Sequence, residues 1–441
     1  MDMLVIRGGT PLRGSVRASG SKNAALPIMA ATLLTDGPVR LGEVPRLADV
    51  ESLSQLLRLL GVDVEATGQH ELSLRVTDRQ PFTAPYDLVR RMRASICVLG
   101  PLLARRGRAR VSLPGGCNIG HRPIDLHLRG LEALGARVRV EGGYVLASAG
   151  RLRGATIDLA GPHGTTVTGT ANIMAAATLA SGVTTITNAA LEPEVVDLAN
   201  FLNSLGARIT GHGTPVIRVE GVSSLNGGDY SIIPDRIEAA TLMTAAIATR
   251  GEVSISHINP DHLETVTELL RAAGAEIEFS SGTGGLEVVI ASGGPLKPIE
   301  FIATPYPGIP TDVQAQLTAL LTGAAGTSVV TDAVFASRFM HVSELCRMGA
   351  RIEHRGDSAL IHGGRRLTGA SVMASDLRAS AALVIAALTA DGESAVRRVY
   401  HLDRGYERLD LKVRALGAHV ERVQDAPDAI ETAAPLRSKA A

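Results

Sequence analysis

The sequence predicts an α/β protein of two domains, each assembled from three related units of about 70 residues. Three observations carry this prediction. A helix-ending glycine followed by a short alternating stretch recurs six times. A second, Ala-rich apolar helix lies upstream of that glycine each time. Finally, 441 residues are too many for one ordinary core.

The first series of glycines is Gly61, Gly135, Gly206, Gly274, Gly349 and Gly417, a nearly regular spacing along the whole chain. Each follows an amphipathic run and precedes an alternating one, as in "ALGARVRV". A helix therefore closes on a C′ glycine and gives way to a strand. The upstream helices end near Gly37, Gly107, Gly182, Gly251, Gly326 and Gly392, each at nearly the same distance before its counterpart in the first series. Two series that keep step in this way signal internal repetition. The units are longer than most solenoid repeats, which points to folding units grouped around shared cores. Each unit reads as helix, strand, helix and two further strands. The upstream helices, of which "NAALPIMAATLL" is typical, are apolar on nearly all sides and should be buried beneath sheets.

Composition narrows the function. Lys plus Arg and Asp plus Glu are equal at 44 each, which argues against nucleic acid or a membrane surface as the main partner. With no Trp and 3% aromatics, base-stacking platforms are also disfavoured. Three cysteines (Cys97, Cys117 and Cys346) cannot all pair, and so few suit a reducing cytosol. The start, "MDMLVIRGG", has an acid at position 2 and no long apolar stretch, so no signal peptide is expected. The longest membrane candidate, Ala379 to Ala390, is well short of the roughly 18–20 residues a span needs. A cytoplasmic enzyme or assembly subunit is the expectation.

The first residues of the Ala-rich helices are the informative ones. Lys22, Arg93, Thr168, Arg236, Asp312 and Arg378 each stand about four helical turns before the closing glycine of their helix. One structural position therefore carries a charged or hydroxyl residue in all six units. Capping accounts for Ser21, Thr168 and Asp312. It does not account for Lys22, Arg93, Arg236 and Arg378, which oppose the helix dipole there. Cations at helix N-termini make sense when an anion sits between them and binds both backbone N–H groups and side chains. With the helices side by side, the six ends should form two clusters of three facing one cleft between the domains, a common place for a ligand.

"LPGGCNIGHRP" adds the reactive group. Cys117 follows Gly115 and Gly116, which allow close backbone approach, and precedes His121 and Arg122, which favour a thiolate. Cys97 in "ASICVLG" and Cys346 in "SELCRMG" read instead as buried structural thiols on apolar helix faces. Asp403, Arg404 and Arg408 in "YHLDRGYERLD" open the last helix, and Gly405 lets the backbone near Arg404 approach a ligand. "FASRFMHVSEL" sets Arg338 and His341 beside apolar anchors. Walker and Rossmann loops, a zinc spacing and a Ser-His-Asp pattern are all missing from the sequence.

Together, "GSKNAALPIMAATLL", "YDLVRRMRASICVLGPLLA", "LPGGCNIGHRPIDLHLRGLEALGA", "LEPEVVDLANFLNSLGA", "PDRIEAAT", "PTDVQAQ", "VFASRFMHVSEL", "ASDLRASAALV" and "HLDRGYERLD" closely resemble the UDP-N-acetylglucosamine 1-carboxyvinyltransferase branch of the EPSP synthase family. The resemblance runs in order from Met1 to about Val423. It implies a two-domain inside-out α/β barrel built of six βαβαββ-type repeats. The first domain would span 22–233, the second 1–21 with 234–423, and 424–441 would form a disordered tail. It also implies that the enolpyruvyl group of phosphoenolpyruvate moves to the 3-hydroxyl of UDP-N-acetylglucosamine, releasing phosphate. Both substrates are anions. No cofactor or metal is implied.

The same resemblance assigns roles by matching motif. Cys117 would be the general acid toward the methylene carbon and able to form a covalent adduct, and Asp312 would take the sugar hydroxyl's proton. Lys22, Arg122 and Arg404 would hold phosphate and carboxylate, with Asn23 assisting. Arg93, the run Arg122, Pro123, Ile124, Asp125 and Leu126, and Val334 would contact the uridine nucleotide. Thr168 and Gly169 stand where diphosphate contacts are expected, while Asp376, Arg378, Arg338, Asp235 and Glu192 complete the polar lining. Two rival readings fit less well. Enolpyruvyl transfer to shikimate 3-phosphate shares the fold but not the cysteine loop. A non-catalytic six-repeat ring like a sliding clamp would want a basic inner face, against the net charge of zero.

Overall fold

The computed structural model describes residues 1–115, 123–161, 164–282, 285–292 and 295–425, with side chains at 281–294 left aside. Six Ala-rich helices form its interior: Lys22–Ala31; Leu99–Arg106, led in by a 3-10 turn over Arg93–Val98; Val167–Ala177; Arg236–Ala248; Thr311–Leu321; and Leu377–Thr389. Most residues of each are buried. This is what an all-round apolar helix requires, since it has no face to offer water. The first three pack on one another, and so do the last three.

Around them lie six four-stranded sheets, each mixed, with one parallel and two antiparallel pairings. Three sheets are made from one continuous unit. In the second unit, for example, Thr83–Ala84 runs parallel to Arg108–Ser112, and the hairpin of Arg137–Glu141 and Tyr144–Ser148 completes the order. The leading strand before each buried helix is the element the glycine pattern did not show.

The other three sheets borrow a strand. Gly228–Ser231 runs parallel to Val39–Gly42 and completes the first unit's sheet. Arg13–Arg17 runs parallel to Glu252–Ser256. Asp2–Arg7 lies between Glu393–Arg397 and His419–Gln424, antiparallel to both. The buried apolar residues fall into two clusters accordingly. One runs from Ala24 to Ile232; the other joins Leu4–Ala18 to Ile237–Val420.

Local geometry follows the repeat. All six glycines of the first series have positive φ, between 78° and 103°, a backbone conformation that residues with a Cβ rarely adopt. In the second series Gly107, Gly182, Gly326 and Gly392 do the same, and in the fourth unit Arg250 takes the left-handed position with φ 53°.

Candidate active site

The helix N-termini do meet, though not as two clusters of three. The ends of the first, fourth, fifth and sixth buried helices come together directly. Asp235 caps the fourth helix by accepting from the N–H groups of Ile237 and Glu238 at 2.8 and 2.9 Å. Its second oxygen accepts from the N–H of Lys22 at 3.1 Å, so one carboxylate ties two helix ends from the two cores. Asp376 caps the sixth helix through the N–H groups of Arg378 and Ala379. Both caps place negative charge at the positive end of a helix.

Asp312 is the hub. Arg338 donates to its Oδ1 at 2.8 Å, Arg378 donates to its Oδ2 at 3.0 Å, and the Asn23 amide reaches the same Oδ2 at 3.4 Å. Burial alone would raise this carboxyl. Arg378, Arg338 and Lys22 outweigh burial and hold it well below the usual carboxylate range, so it is ionised at neutral pH. Arg378 is wholly buried, its guanidinium lying over the Tyr406 ring at 5.1 Å. Beneath them, Gln316 donates to the backbone carbonyl of Asp312 and to the hydroxyl of Tyr406, at 2.9 Å each.

A second carboxylate, Asp49, extends the cluster. It lies in the first turn of the helix Ala48–Leu59 and is 4% exposed. Arg404 Nε donates to its Oδ1 at 2.9 Å and Lys22 Nζ lies 3.7 Å from its Oδ2. Burial pushes the Lys22 ammonium below the usual lysine range. Asp49 and Asp312 pull it back up, and Arg378 and Arg404 press it further down. The six side chains in ionic contact here, Lys22, Arg338, Arg378, Arg404, Asp49 and Asp312, carry four positive charges and two negative ones. Val334 sits alongside: its N–H donates to Asp332 Oδ1, while Asp332 Oδ2 accepts from Thr311 at 2.6 Å, one residue before Asp312. His341, buried next to this group, is pushed down to about 4 by burial and stays neutral.

The remaining nucleotide-contact candidates lie together elsewhere. Arg93 donates to the carbonyl of Pro123 at 3.3 Å. Ile124 precedes the helix Asp125–Ala133 without a side-chain cap, and Asp125 is exposed and Leu126 half-buried on its first turn. Thr168 faces His127, Oγ1 to Nε2 at 3.2 Å, and the N–H of Gly169 is taken by Thr166 Oγ1 at 3.1 Å. The Gly164 Cα before that helix lies close to the second core, since a Cβ there would sit 3.4 Å from Pro305 Cγ. Glu192 accepts from the N–H of Tyr306 at 3.4 Å, and burial raises its carboxyl above the ordinary range. Cys117, His121 and Arg122 fall outside the described residues, as does the tail from 426 onward.

Four expectations need correcting. Thr168 does not cap its helix; Thr166 does, because the extended residue two positions earlier presents its hydroxyl to Gly169. Asp312 is no cap either: Pro310 occupies that position, and the carboxylate turns to the two arginines, a stronger partnership than one N–H. Cys346 is exposed rather than buried, whereas Cys97 is buried and its thiol pushed up to about 12 by burial. Arg404 ends a 3-10 helix, Val399–Arg404, and does not open the last α-helix. Asp49, Gln316 and Tyr406 escaped the sequence reading. "RLADVES" looks like ordinary dipole compensation, and nothing local marks Asp49 as the partner of Lys22 and Arg404, which lie far from it along the chain. Among the described residues, no group of three His, Cys, Asp or Glu side chains could hold a metal ion. No described helix is long and apolar enough to cross a membrane.

The chain is similar to known proteins over nearly its whole length. Residues 6–412 match the family described as EPSP synthase (3-phosphoshikimate 1-carboxyvinyltransferase). The chain is 53% identical over 425 residues to UDP-N-acetylglucosamine 1-carboxyvinyltransferase 2 of Carboxydothermus hydrogenoformans, covering 96% of this chain and all of that one. It is 51% identical over 424 residues to the UDP-N-acetylglucosamine 1-carboxyvinyltransferase of Methylacidiphilum infernorum, covering 96% and 99%. Among solved structures, the enolpyruvyl transferase NikO of Streptomyces tendae superposes with a TM-score of 0.85 at 27% identity, covering 96% and 98%. EPSP synthase of Acinetobacter baumannii superposes with a TM-score of 0.73 at 20% identity over 96% and 100%, a likeness of fold alone.

Proposed function

We propose, from the premise that this chain belongs to the EPSP synthase family of enolpyruvyl transferases, that it moves the enolpyruvyl group of phosphoenolpyruvate to the 3-hydroxyl of UDP-N-acetylglucosamine and releases phosphate. The observation that carries the reading is the set of four cations around Asp312 and Asp49, the buried Lys22, Arg338 and Arg378 with the half-buried Arg404, which suits a small substrate bearing both phosphate and carboxylate.

The chemistry then assigns work to each group. The sugar oxygen adds to the central carbon of phosphoenolpyruvate while a proton is delivered to the methylene carbon, giving a tetrahedral ketal. The bond from that carbon to the phosphate oxygen breaks next. Phosphate leaves, and loss of a proton from the new methyl group restores the double bond. Asp312, ionised and beside Asn23, accepts the sugar hydroxyl's proton. A carboxylate held so low is a weak base, and a substrate anion drawing on the same arginines would loosen that hold. Cys117 serves as the acid at the methylene carbon. Lys22, Arg122 and Arg404 bind phosphate and carboxylate, with Arg338 and Arg378 positioning Asp312. Arg93, Pro123 to Leu126, Thr168 and Gly169 hold the nucleotide, with Val334 at its edge. Glu192 and Asp235 brace the two cores against each other at the cleft.

On this reading the two hydrophobic clusters are two domains, 22–233 and 1–21 with 234–423, which close over the substrates. The enzyme works in the cytoplasm, on small molecules alone, at the first committed step of peptidoglycan precursor synthesis. Phosphate release from phosphoenolpyruvate tests it, run with UDP-N-acetylglucosamine and, separately, with shikimate 3-phosphate. Turnover with the first acceptor and none with the second is expected. The reverse outcome refutes the assignment.

A further inference from the structure

His127 follows the candidate nucleotide contacts without belonging to them, and it is 2% exposed. Both ring nitrogens have partners on the third buried helix. Nε2 lies 3.2 Å from Thr168 Oγ1, and Nδ1 lies 3.1 Å from the side-chain nitrogen of Asn172, itself fully buried. Which nitrogen carries the proton is ordinarily a matter of inference from the surrounding hydrogen bonds. Here the backbone decides it.

Asn172 is pinned between two main-chain groups of opposite polarity. The N–H of Gly100 donates to its Oδ1 at 2.6 Å, and its Nδ2 donates to the carbonyl of Ile96 at 3.0 Å. Flipping the amide would set an NH2 against an N–H and an oxygen against a carbonyl, two repulsions in a dry interior. Gly100 makes the contact possible, since a Cβ there would lie 2.5 Å from Asn172 Oδ1. The second hydrogen of Nδ2 therefore points to His127 Nδ1, which must accept it. The imidazole is then neutral with its proton on Nε2, and that N–H donates to Thr168 Oγ1. Once the hydroxyl oxygen accepts from the ring, its own proton is turned away from His127. Among the described residues it meets no acceptor.

We propose that Asn172 and His127 are positioning residues: they set the tautomer that makes the half-buried Thr168 hydroxyl a hydrogen-bond donor to the diphosphate of the acceptor nucleotide. This rests on the functional reading above, with Thr168 taken as a diphosphate contact. Flanking elements fit it, because the 3-10 turn that begins at Arg93 supplies the Ile96 carbonyl. A tautomer held by the fold costs nothing to set when substrate arrives, so the benefit appears as nucleotide affinity.

Three measurements test it. Long-range proton–nitrogen spectra of the 15N-histidine-labelled protein, compared with His127→Gln to assign the signal, are expected to show His127 as the Nε2–H tautomer. An Nδ1–H ring overturns the proposal, whatever the enzyme turns over. In kinetics, His127→Asn keeps an acceptor toward Asn172 but cannot reach Thr168. It is expected to raise KM for UDP-N-acetylglucosamine and Ki for UDP about ten-fold, the loss of one hydrogen bond to a charged group. Ki for uridine and KM for phosphoenolpyruvate should stay within about two-fold. His127→Gln, which can place a donor near the ring's Nε2, should recover most of that affinity. Thr168→Val should match His127→Asn, and the double variant should add little. Equal weakening of uridine and UDP, or a fall in kcat with both KM values rising together, would mean a purely structural histidine. Because UDP binding needs no turnover, an enzyme that binds UDP but rejects the sugar nucleotide overturns the functional reading and leaves the UDP comparison decisive.

Discussion

Asp49→Asn probes the site most directly, because it removes the one carboxylate shared by Lys22 and Arg404 while keeping its shape. At the observed separations of 2.9 and 3.7 Å, the gross attractions are about 6 and 4–5 kcal/mol at an effective dielectric constant of about 20. Leaving buried charges without a partner has a net cost of about 3–5 kcal/mol, and the retained amide oxygen facing Arg404 sets the expected loss near about 3. The functional effect comes through Lys22. Burial already lowers its ammonium, and Asp49 is the strongest influence holding it up. Without Asp49 it falls further. Two consequences oppose each other. While Lys22 stays protonated, the site has one negative charge fewer and binds phosphoenolpyruvate at least as well as the parent. As pH rises through the lowered value, Lys22 goes neutral and affinity is lost.

The assay is KM for phosphoenolpyruvate from phosphate release, taken as the ratio of variant to parent from about pH 6 to 9 so that the substrate's own ionisation cancels. The ratio should start near or below one and climb with pH. Stability should move the opposite way. A lysine whose folded value is depressed binds fewer protons folded than unfolded in that window, so the variant's deficit in melting temperature shrinks as pH rises. A KM ratio that stays flat over the whole range refutes the reasoning.

Other outcomes are equally open to measurement. Asp312→Asn should cut kcat by about 10²–10⁴, as loss of a general base does, while nucleotide binding measured by calorimetry persists; unchanged kcat removes Asp312 from the chemistry. Fosfomycin, an epoxide mimic of phosphoenolpyruvate, should alkylate Cys117, and Cys117→Asp should keep some turnover and resist the reagent. Peptide mass spectrometry finding the adduct only on buried Cys97 or exposed Cys346 would contradict the cysteine assignment. Glu194→Gln breaks a buried bidentate pair with Arg236, at 3.0 and 3.2 Å, and should cost about 3 kcal/mol in denaturant unfolding; a loss below about 1 kcal/mol would mean the pair does not brace the two cores. Inorganic phosphate at about 100 times its Kd should stabilise the protein by about 2.7 kcal/mol, and no shift in melting temperature would argue against an anion site.

Much of this molecule could be read from its residues because the information was local. A C′ glycine needs a left-handed backbone wherever it stands, so six of them at matched spacing located six helix ends. Helices such as "NAALPIMAATLL" have no polar face, so their burial followed from composition alone. The cations at the starts of those helices violate a local rule, which singles out Lys22 and Arg378 as candidates, and the structure sets them in ionic contact with Asp49 and Asp312. Cys117 stood out likewise among glycines and bases, and its chemistry was read from that setting and the family resemblance.

What lay beyond the sequence depends on which ends meet. A carboxylate in a first turn looks the same whether it faces water or a buried lysine, so nothing in the sequence singles out Asp49, and only the fold sets Lys22 and Arg404 against it. Asp312 looked like a cap, and only the approach of the fifth helix to Arg338 and Arg378 made it the hub of the charge cluster. Whether His127 donates through Nε2 depends on two backbone groups from an earlier helix and its lead-in turn, at Gly100 and Ile96, and on the Asn172 amide of a later one. Repetition and helix polarity are properties of short segments and survive in the sequence. Partnership between charges depends on distance at the scale of an ångström, and only the packed helices set that distance.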